Sequence, residues 1–331
     1  MNGSGPPIAR RAWLLTALAA LAGGGAGALP AVRLGVLQYG TVQWVADVMR
    51  RHALDAAHGF RLEGVRLANN EAGRVALMAG AADVVVSDWT MVATQRAAGN
   101  RLSFAPFSSA LGAIMVPAEA PLHTLADLRG RSLGVAGGPL DKSWLLVRAA
   151  AAATAGIDLA AAAHLAYGTP PLLGAKLRQG ELDAVLTFWT FAARLEAAGY
   201  RQMVGVAECA AALGLPGPLG LVGFVFHEEW ALRNRPVADG FLAAAEAAER
   251  RLADDDTEWQ AIRPLMDAPE EALFNSLRRR FRDGIAHPTA EQEQQTAAKV
   301  LAILGQQGGR AATGGLAELP PGVFWPVAHA A

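Results

Sequence analysis

Arg74–Arg101 reads RVALMAGAADVVVSDWTMVATQRAAGNR, and Gly174–Arg201 reads GAKLRQGELDAVLTFWTFAARLEAAGYR. The second stretch repeats the first, always one hundred positions on. Leu77 matches Leu177, Gly80 matches Gly180, and Asp83 matches Asp183. Val85, Trp89-Thr90, Ala93 and Ala97-Ala98-Gly99 match Val185, Trp189-Thr190, Ala193 and Ala197-Ala198-Gly199. Two copies are too few for a solenoid. Alanine matches between two helices are cheap, but the Gly, Asp and Trp-Thr matches are not. Each copy reads helix, strand, helix. Gly80 and Gly180 sit where a helix ends in a left-handed cap. Ala82–Ser87 and Leu182–Thr187 are short apolar runs, the pattern of buried parallel strands. The Trp-Thr pairs then fall at the carboxyl ends of equivalent strands, where ligands of open α/β sheets bind. The repeat predicts two related α/β lobes with a cleft between them.

The opening of each lobe repeats as well. Leu133-Gly134-Val135 echoes Leu34-Gly35-Val36, and Trp144 follows its strand much as Trp44 follows the first. Between them, Val32–Leu37 and Phe60–Leu67 read as strands, and Val42–Ala57 and Asn69–Met78 as helices. Leu102–Phe107 is a strand, and Ala110–Val116 is a strand that crosses to the second lobe. Gly214–Gly220 is Gly/Pro-rich and reads as the return crossover before the strand Leu221–Phe226. From Glu228 helical periodicity dominates to Leu304. The expected division is 1–28 export signal, 32–109 plus 220–304 lobe 1, 110–219 lobe 2, and 305–331 a C-terminal tail. The two crossovers would form a hinge.

The export signal rests on Arg10-Arg11, the apolar Ala12–Ala22 and the small residues Ala26-Gly27-Ala28. The arginine pair also resembles a twin-arginine signal, although such pairs occur in ordinary Sec signals. With 331 residues the chain is long enough for two lobes, and a formal net charge of −1 favours neither nucleic acid nor an anionic membrane. A single cysteine, Cys209, excludes an internal disulfide and a cysteine-based metal cluster.

Catalytic motifs fail on context. Gly130-Arg131-Ser132-Leu133-Gly134 fits the expression of a hydrolase elbow, but a strand follows the serine where a helix is needed. The histidines show no metal-ligand spacing. Walker A and dinucleotide fingerprints are absent, and nothing calls for a cofactor.

Three segments carry a family resemblance: Leu77–Asp83, Leu125–Val135 (LADLRGRSLGV) and Leu177–Ala184 (LRQGELDA). On these the chain resembles the nitrate/sulfonate/taurine-type substrate-binding proteins of ABC importers, over about Val32 to Leu304. It is also similar to the thiamine-pyrimidine-precursor binders. The resemblance implies a type II periplasmic-binding-protein fold of two doubly wound α/β lobes joined by two crossovers. It implies a monomeric periplasmic receptor that hands a small solute to an ABC permease with a separate ATPase subunit. The alternative it implies is an enzyme on the same fold, acting on a pyrimidine or menaquinone precursor. The chain departs from the family in its loops: Gly137-Gly138-Pro139-Leu140-Asp141 stands where Gly-Ser or Gly-Thr is frequent.

The expected ligand-binding residues are Gln38, Tyr39, Thr41 and Trp44 after the first strand, and Ser87, Asp88 and Trp89 at the first repeat. In the second lobe they are Gly138, Lys142, Ser143 and Trp144, then Thr187, Phe188 and Trp189. Trp89 and Trp189 are expected to face each other across the cleft. Helix starts at Thr41 and Ser143 favour an acceptor on the ligand. Asp88 would repel an anion unless Lys142 or an arginine neutralised it, and beside indole it suits an amine or ring N–H. The expected ligand is a small organic molecule with both characters, not a simple inorganic anion.

Overall fold

The computed structural model describes residues 28–37, 40–285 and 289–326. The export signal thus lies outside the described residues except for Ala28, as do Gln38 and Tyr39. The chain opens with β1 (Ala31–Leu37), α1 (Val42–Arg51), α2 (Leu54–Ala57), β2 (Arg61–Leu67), α3 (Asn70–Met78), β3 (Val84–Asp88), α4 (Trp89–Ala97) and β4 (Leu102–Ser108). After a crossover come β5 (Ala113–Pro117), a 3-10 turn (Leu125–Leu128), β6 (Ser132–Ala136), α5 (Lys142–Ala155), α6 (Leu159–Ala162) and β7 (His164–Gly168). Then follow α7 (Pro170–Arg178), β8 (Ala184–Thr187), α8 (Trp189–Ala197), β9 (Tyr200–Gly205) and α9 (Val206–Ala212). The chain returns through β10 (Val222–His227), α10 (Glu228–Arg233), α11 (Arg235–Asp254), α12 (Asp256–Met266), α13 (Glu271–Asp283) and α14 (Ala290–Thr313).

These strands form two five-stranded sheets, ordered β2-β1-β3-β10-β4 and β7-β6-β8-β5-β9. In the first, β1 runs parallel to β2 and β3, and β10 is antiparallel to β3 and β4. In the second, β6 runs parallel to β7 and β8, and β5 is antiparallel to β8 and β9. Each sheet therefore takes its antiparallel strand from the chain just after a crossover. This is the doubly wound α/β architecture that the sequence led us to expect.

The repeat has a structural cause at its aspartates. Asp83 Oδ2 accepts the backbone N–H of Arg33 at 2.8 Å, and Asp183 Oδ2 accepts that of Ser132 at 2.8 Å. The Asp83 amide donates to Arg33 O and the Asp183 amide to Ser132 O, each at 2.9 Å. Each aspartate thus caps the start of a parallel pair and fixes its register. Gly80 and Gly180 carry φ of 67° and 73°, the left-handed cap expected after their helices.

Two expectations are corrected. The helix expected over Val42–Ala57 ends at Arg51, because Ala53 adopts φ 49° and restarts the chain as α2. Of the stretch expected as a tail, residues 305–326 are described and are part of the fold. Helix α14 runs to Thr313, with a kink at Gly309, and Val323, Phe324 and Trp325 are buried. Phe104 donates to Val323 O at 2.7 Å and accepts from the Trp325 amide at 2.8 Å. Apolar rings at 324 and 325 gain more by burial than a solvated tail would leave them. The C-terminal helices also reach the second half: Arg280 bonds Glu196 of α8 at 2.9 Å, and Arg148 of α5 bonds Gln307 O at 2.9 Å.

Candidate functional site

A cavity of about 350 Å³ opens between the two sheets. Its walls come from the carboxyl ends of parallel strands and the helix starts that follow them. Thr41 and Val42 follow β1, Asn70 follows β2, and Asp88 ends β3. From the other half come Asp141, Lys142 and Ser143 after β6, and Phe188 and Trp189 after β8. Both crossovers contribute, Ala110, Leu111 and Gly112 from one and Leu221 from the other, joined by Val222 at the start of β10. The antiparallel strands explain this. Val222 pairs with Asp88, and Ala113 pairs with Thr187, so each crossover arrives at the carboxyl end of a parallel strand. At Gly112 a Cβ would stand 2.1 Å from Thr187 O, so only glycine allows that approach.

The charged lining is small. Among the described residues it consists of Asp88, Asp141 and Lys142, with no arginine. Lys142 Nζ lies 3.3 Å from Asp88 Oδ2. Burial opposes the Asp88 charge, but Lys142, the Thr90 hydroxyl and the Met91 amide hold its carboxyl below the usual carboxylate value. Burial pushes the Asp141 carboxyl up, against the pull of the Trp144 amide and Lys142. Both aspartates are helix N-caps. Asp88 Oδ1 accepts from the Met91 amide at 3.0 Å, and Asp141 Oδ1 from the Trp144 amide at 3.2 Å. The starts of α4 and α5 are therefore filled by the protein's own carboxylates. The expected anion-favouring start at Ser143 is corrected on this ground. Among the described residues, the starts of α1 and α8, behind Thr41 and Phe188, have no side-chain cap.

Of the expected site residues, the structure brings Thr41, Asp88, Lys142, Ser143, Phe188 and Trp189 to the cavity. Ser87 and Gly138 lie nearby in sequence but do not line it. Trp89 does not face Trp189 across the cleft. It is 1% exposed and packs in the core with Val92 and Ala93, on the inward face of α4. Trp144 is likewise 1% exposed, inside the core of α5. Trp44 is buried among Trp189, Trp259 and Phe281, with ring centroids 6.2, 6.0 and 5.5 Å away. Thr187, just before Phe188, is buried, and its hydroxyl has no hydrogen-bond partner among the described residues. A tryptophan in a first helical turn can pack inward against the sheet or face the cleft, and three of these four pack inward. Sequence reasoning missed Asn70, Ser108 and the crossover residues, and placed Asp141 in the polar turn Gly137–Ser143 without counting it among the ligand-binding residues. An aspartate before Lys142-Ser143-Trp144 was a readable cap signal for Asp141. Nothing local marks Ser108 or Val222, whose place depends on long-range pairing.

The family model described as "NMT1/THI5 like" matches residues 55–257. No curated protein matches the chain at a significant level. Among solved structures, the chain is similar to the periplasmic aliphatic sulphonate binding protein SsuA from Escherichia coli. That pair shares 19% identity over 86% of this chain and 99% of that one, with a TM-score of 0.64. The periplasmic nitrate-binding protein NrtA from Synechocystis PCC 6803 is 13% identical over 89% and 92%, with a TM-score of 0.56. The desulfurization enzyme DSZB is 14% identical over 90% and 96%, with a TM-score of 0.55. At these identities the likeness is one of fold.

Proposed function

Because this chain belongs to the NMT1/THI5-like family, we propose that it is a solute-binding receptor that captures a small organic molecule between two lobes. The observation that carries this reading is the cavity itself, walled by strand carboxyl ends of both sheets and bordered by both crossovers. Such a geometry permits closure by hinge motion around a solute. We take the lobes to be 32–109 plus 220–304 and 110–219, with the crossovers at 109–112 and 213–221 as the hinge. The receptor is exported to the periplasm by the Met1–Ala28 signal and delivers its solute to an ABC permease with a separate ATPase. It works as a monomer.

The enzyme reading draws on the likeness to DSZB. The chemistry of the lining favours binding instead. Ser108 and Ser143 offer hydroxyls, but no imidazole or thiol stands beside them among the described lining residues. Cys209 is buried elsewhere, and burial pushes its thiol up to about 12, far from a reactive thiolate. A thermal-shift screen of the mature chain against small sulfonates, amines, pyrimidines and carboxylic acids tests the proposal. A solute at about a hundred times its dissociation constant adds ~2.7 kcal/mol of stability. A screen without any shift, or a cytoplasmic location for the full-length chain, would sink the receptor reading.

A further inference from the structure

An ion pair spans the cavity. Asp88 ends β3 of the first sheet, and Lys142 opens α5 behind β6 of the second. Their side chains are 31% and 28% exposed, so solvent and solute both reach the pair. The two carboxylate oxygens of Asp88 have different work. Oδ1 is held by the Thr90 hydroxyl and the Met91 amide. Oδ2 is the oxygen that faces Lys142.

A solute that enters the cavity meets this pair on its wall, and one that inserts between the two groups parts it. What it must supply follows from what is left behind. Asp88 Oδ2 then needs a cation or an N–H donor, because an unpaired carboxylate in a half-buried cavity is costly. An anion drawn to Lys142 would meet two carboxylates, Asp88 and Asp141, and no arginine among the described lining residues. It would also find the starts of α4 and α5 already occupied. An apolar solute would leave both charges unpaired.

We propose that the Lys142 ammonium is a placeholder on Asp88, and that the receptor selects solutes whose own cationic nitrogen or N–H donor replaces it on Oδ2. This rests on the solute-receptor reading and narrows it to a ligand class. Lys142 then acts as a specificity-determining residue by competing for Asp88. It sets a threshold that a purely anionic solute fails.

The test is calorimetric titration of the mature protein, Asp88→Asn and Lys142→Gln with n-butylamine and with 1-butanesulfonate. Asparagine keeps the N-cap of α4, so the fold survives the first change. Butylammonium should bind the wild type more tightly than butanesulfonate. Lys142→Gln should tighten butylammonium by about fivefold, the worth of a partly exposed pair. Asp88→Asn should weaken butylammonium and admit butanesulfonate. Tighter binding of butanesulfonate by the wild type, or weaker butylammonium binding by Lys142→Gln, would overturn the proposal while leaving a receptor in place. Binding of neither probe by any of the three proteins would overturn it too. The broader solute screen then decides separately whether the receptor reading stands.

Discussion

The indole of Trp189 stands edge-on to that of Trp44, their ring centroids 6.2 Å apart at an interplanar angle of 83°. Trp44 belongs to α1 beside the first sheet and Trp189 to α8 beside the second, so this aromatic contact joins the two halves. Phe281 of α13 touches both rings, at 5.5 and 6.3 Å. Trp189 alone of the four repeated tryptophans also lines the cavity.

The two tryptophans of the repeat should therefore separate under mutation. Trp89→Ala empties a fully buried site and should cost about 3–5 kcal/mol of stability. Trp189→Ala should cost less stability and more solute affinity. Denaturant melts and titrations of both variants check this; equal losses of affinity would mean that the cleft is not where the geometry puts it.

The aspartates of the repeat should also differ. Asp83 is 10% exposed and holds both the Arg33 amide and its guanidinium, whereas Asp183 is 41% exposed. Asp83→Ala leaves a shielded amide unpaired and should cost ~1–3 kcal/mol. Water can replace the carboxylate at 183, so Asp183→Ala should cost less. Urea melts of the two variants give the comparison.

How far the sequence could be read follows from these pairs. The doubly wound plan was legible because Gly80, Asp83 and Gly99 recur at Gly180, Asp183 and Gly199, and each holds a backbone position. Asp88, Lys142 and Trp189 were legible as strand-end and helix-start residues. Trp89 was misread, and Trp44 and Trp144 stayed open between core and cleft, because a first-turn indole suits both and only the helix's rotation on its sheet decides. Val222 and Ser108 were illegible because β10 reaches its neighbours across more than a hundred residues.

Glu293 gives a pH dependence. It is buried on α14, accepts the Gly220 amide of the return crossover at 3.2 Å, and burial pushes its carboxyl up to about 7. The cavity beside it is lined by Pro216, Gly217, Pro218, Gln292, Gln295 and Thr296, none of them titratable. The folded chain thus holds this proton more tightly than the unfolded chain does. Its stabilising contribution is complete below the ordinary value of 4.5 and is lost as pH rises to about 7. The loss is of order 3 kcal/mol. Glu293→Gln keeps an acceptor for Gly220 and should flatten that slope in melts between pH 4.5 and 8; an unchanged slope would show that the carboxyl is hydrated.

The crossover at 109–112 should tolerate no side chain at its tightest point. A Cβ at Gly112 would fall 2.1 Å from Thr187 O, a backbone atom that cannot swing aside. Gly112→Ala should displace the crossover from β8 and weaken solute binding at least about tenfold, a loss of ~1.4 kcal/mol. Titration of the variant with the best hit of the solute screen checks it.

Capture without turnover separates a receptor from an enzyme on this fold. The decisive measurement is mass analysis of the best-binding solute recovered from the denatured protein after long incubation in excess solute. A receptor returns one equivalent of unchanged solute per chain and leaves the excess unaltered. A new product accumulating beyond one equivalent per chain would contradict the assignment.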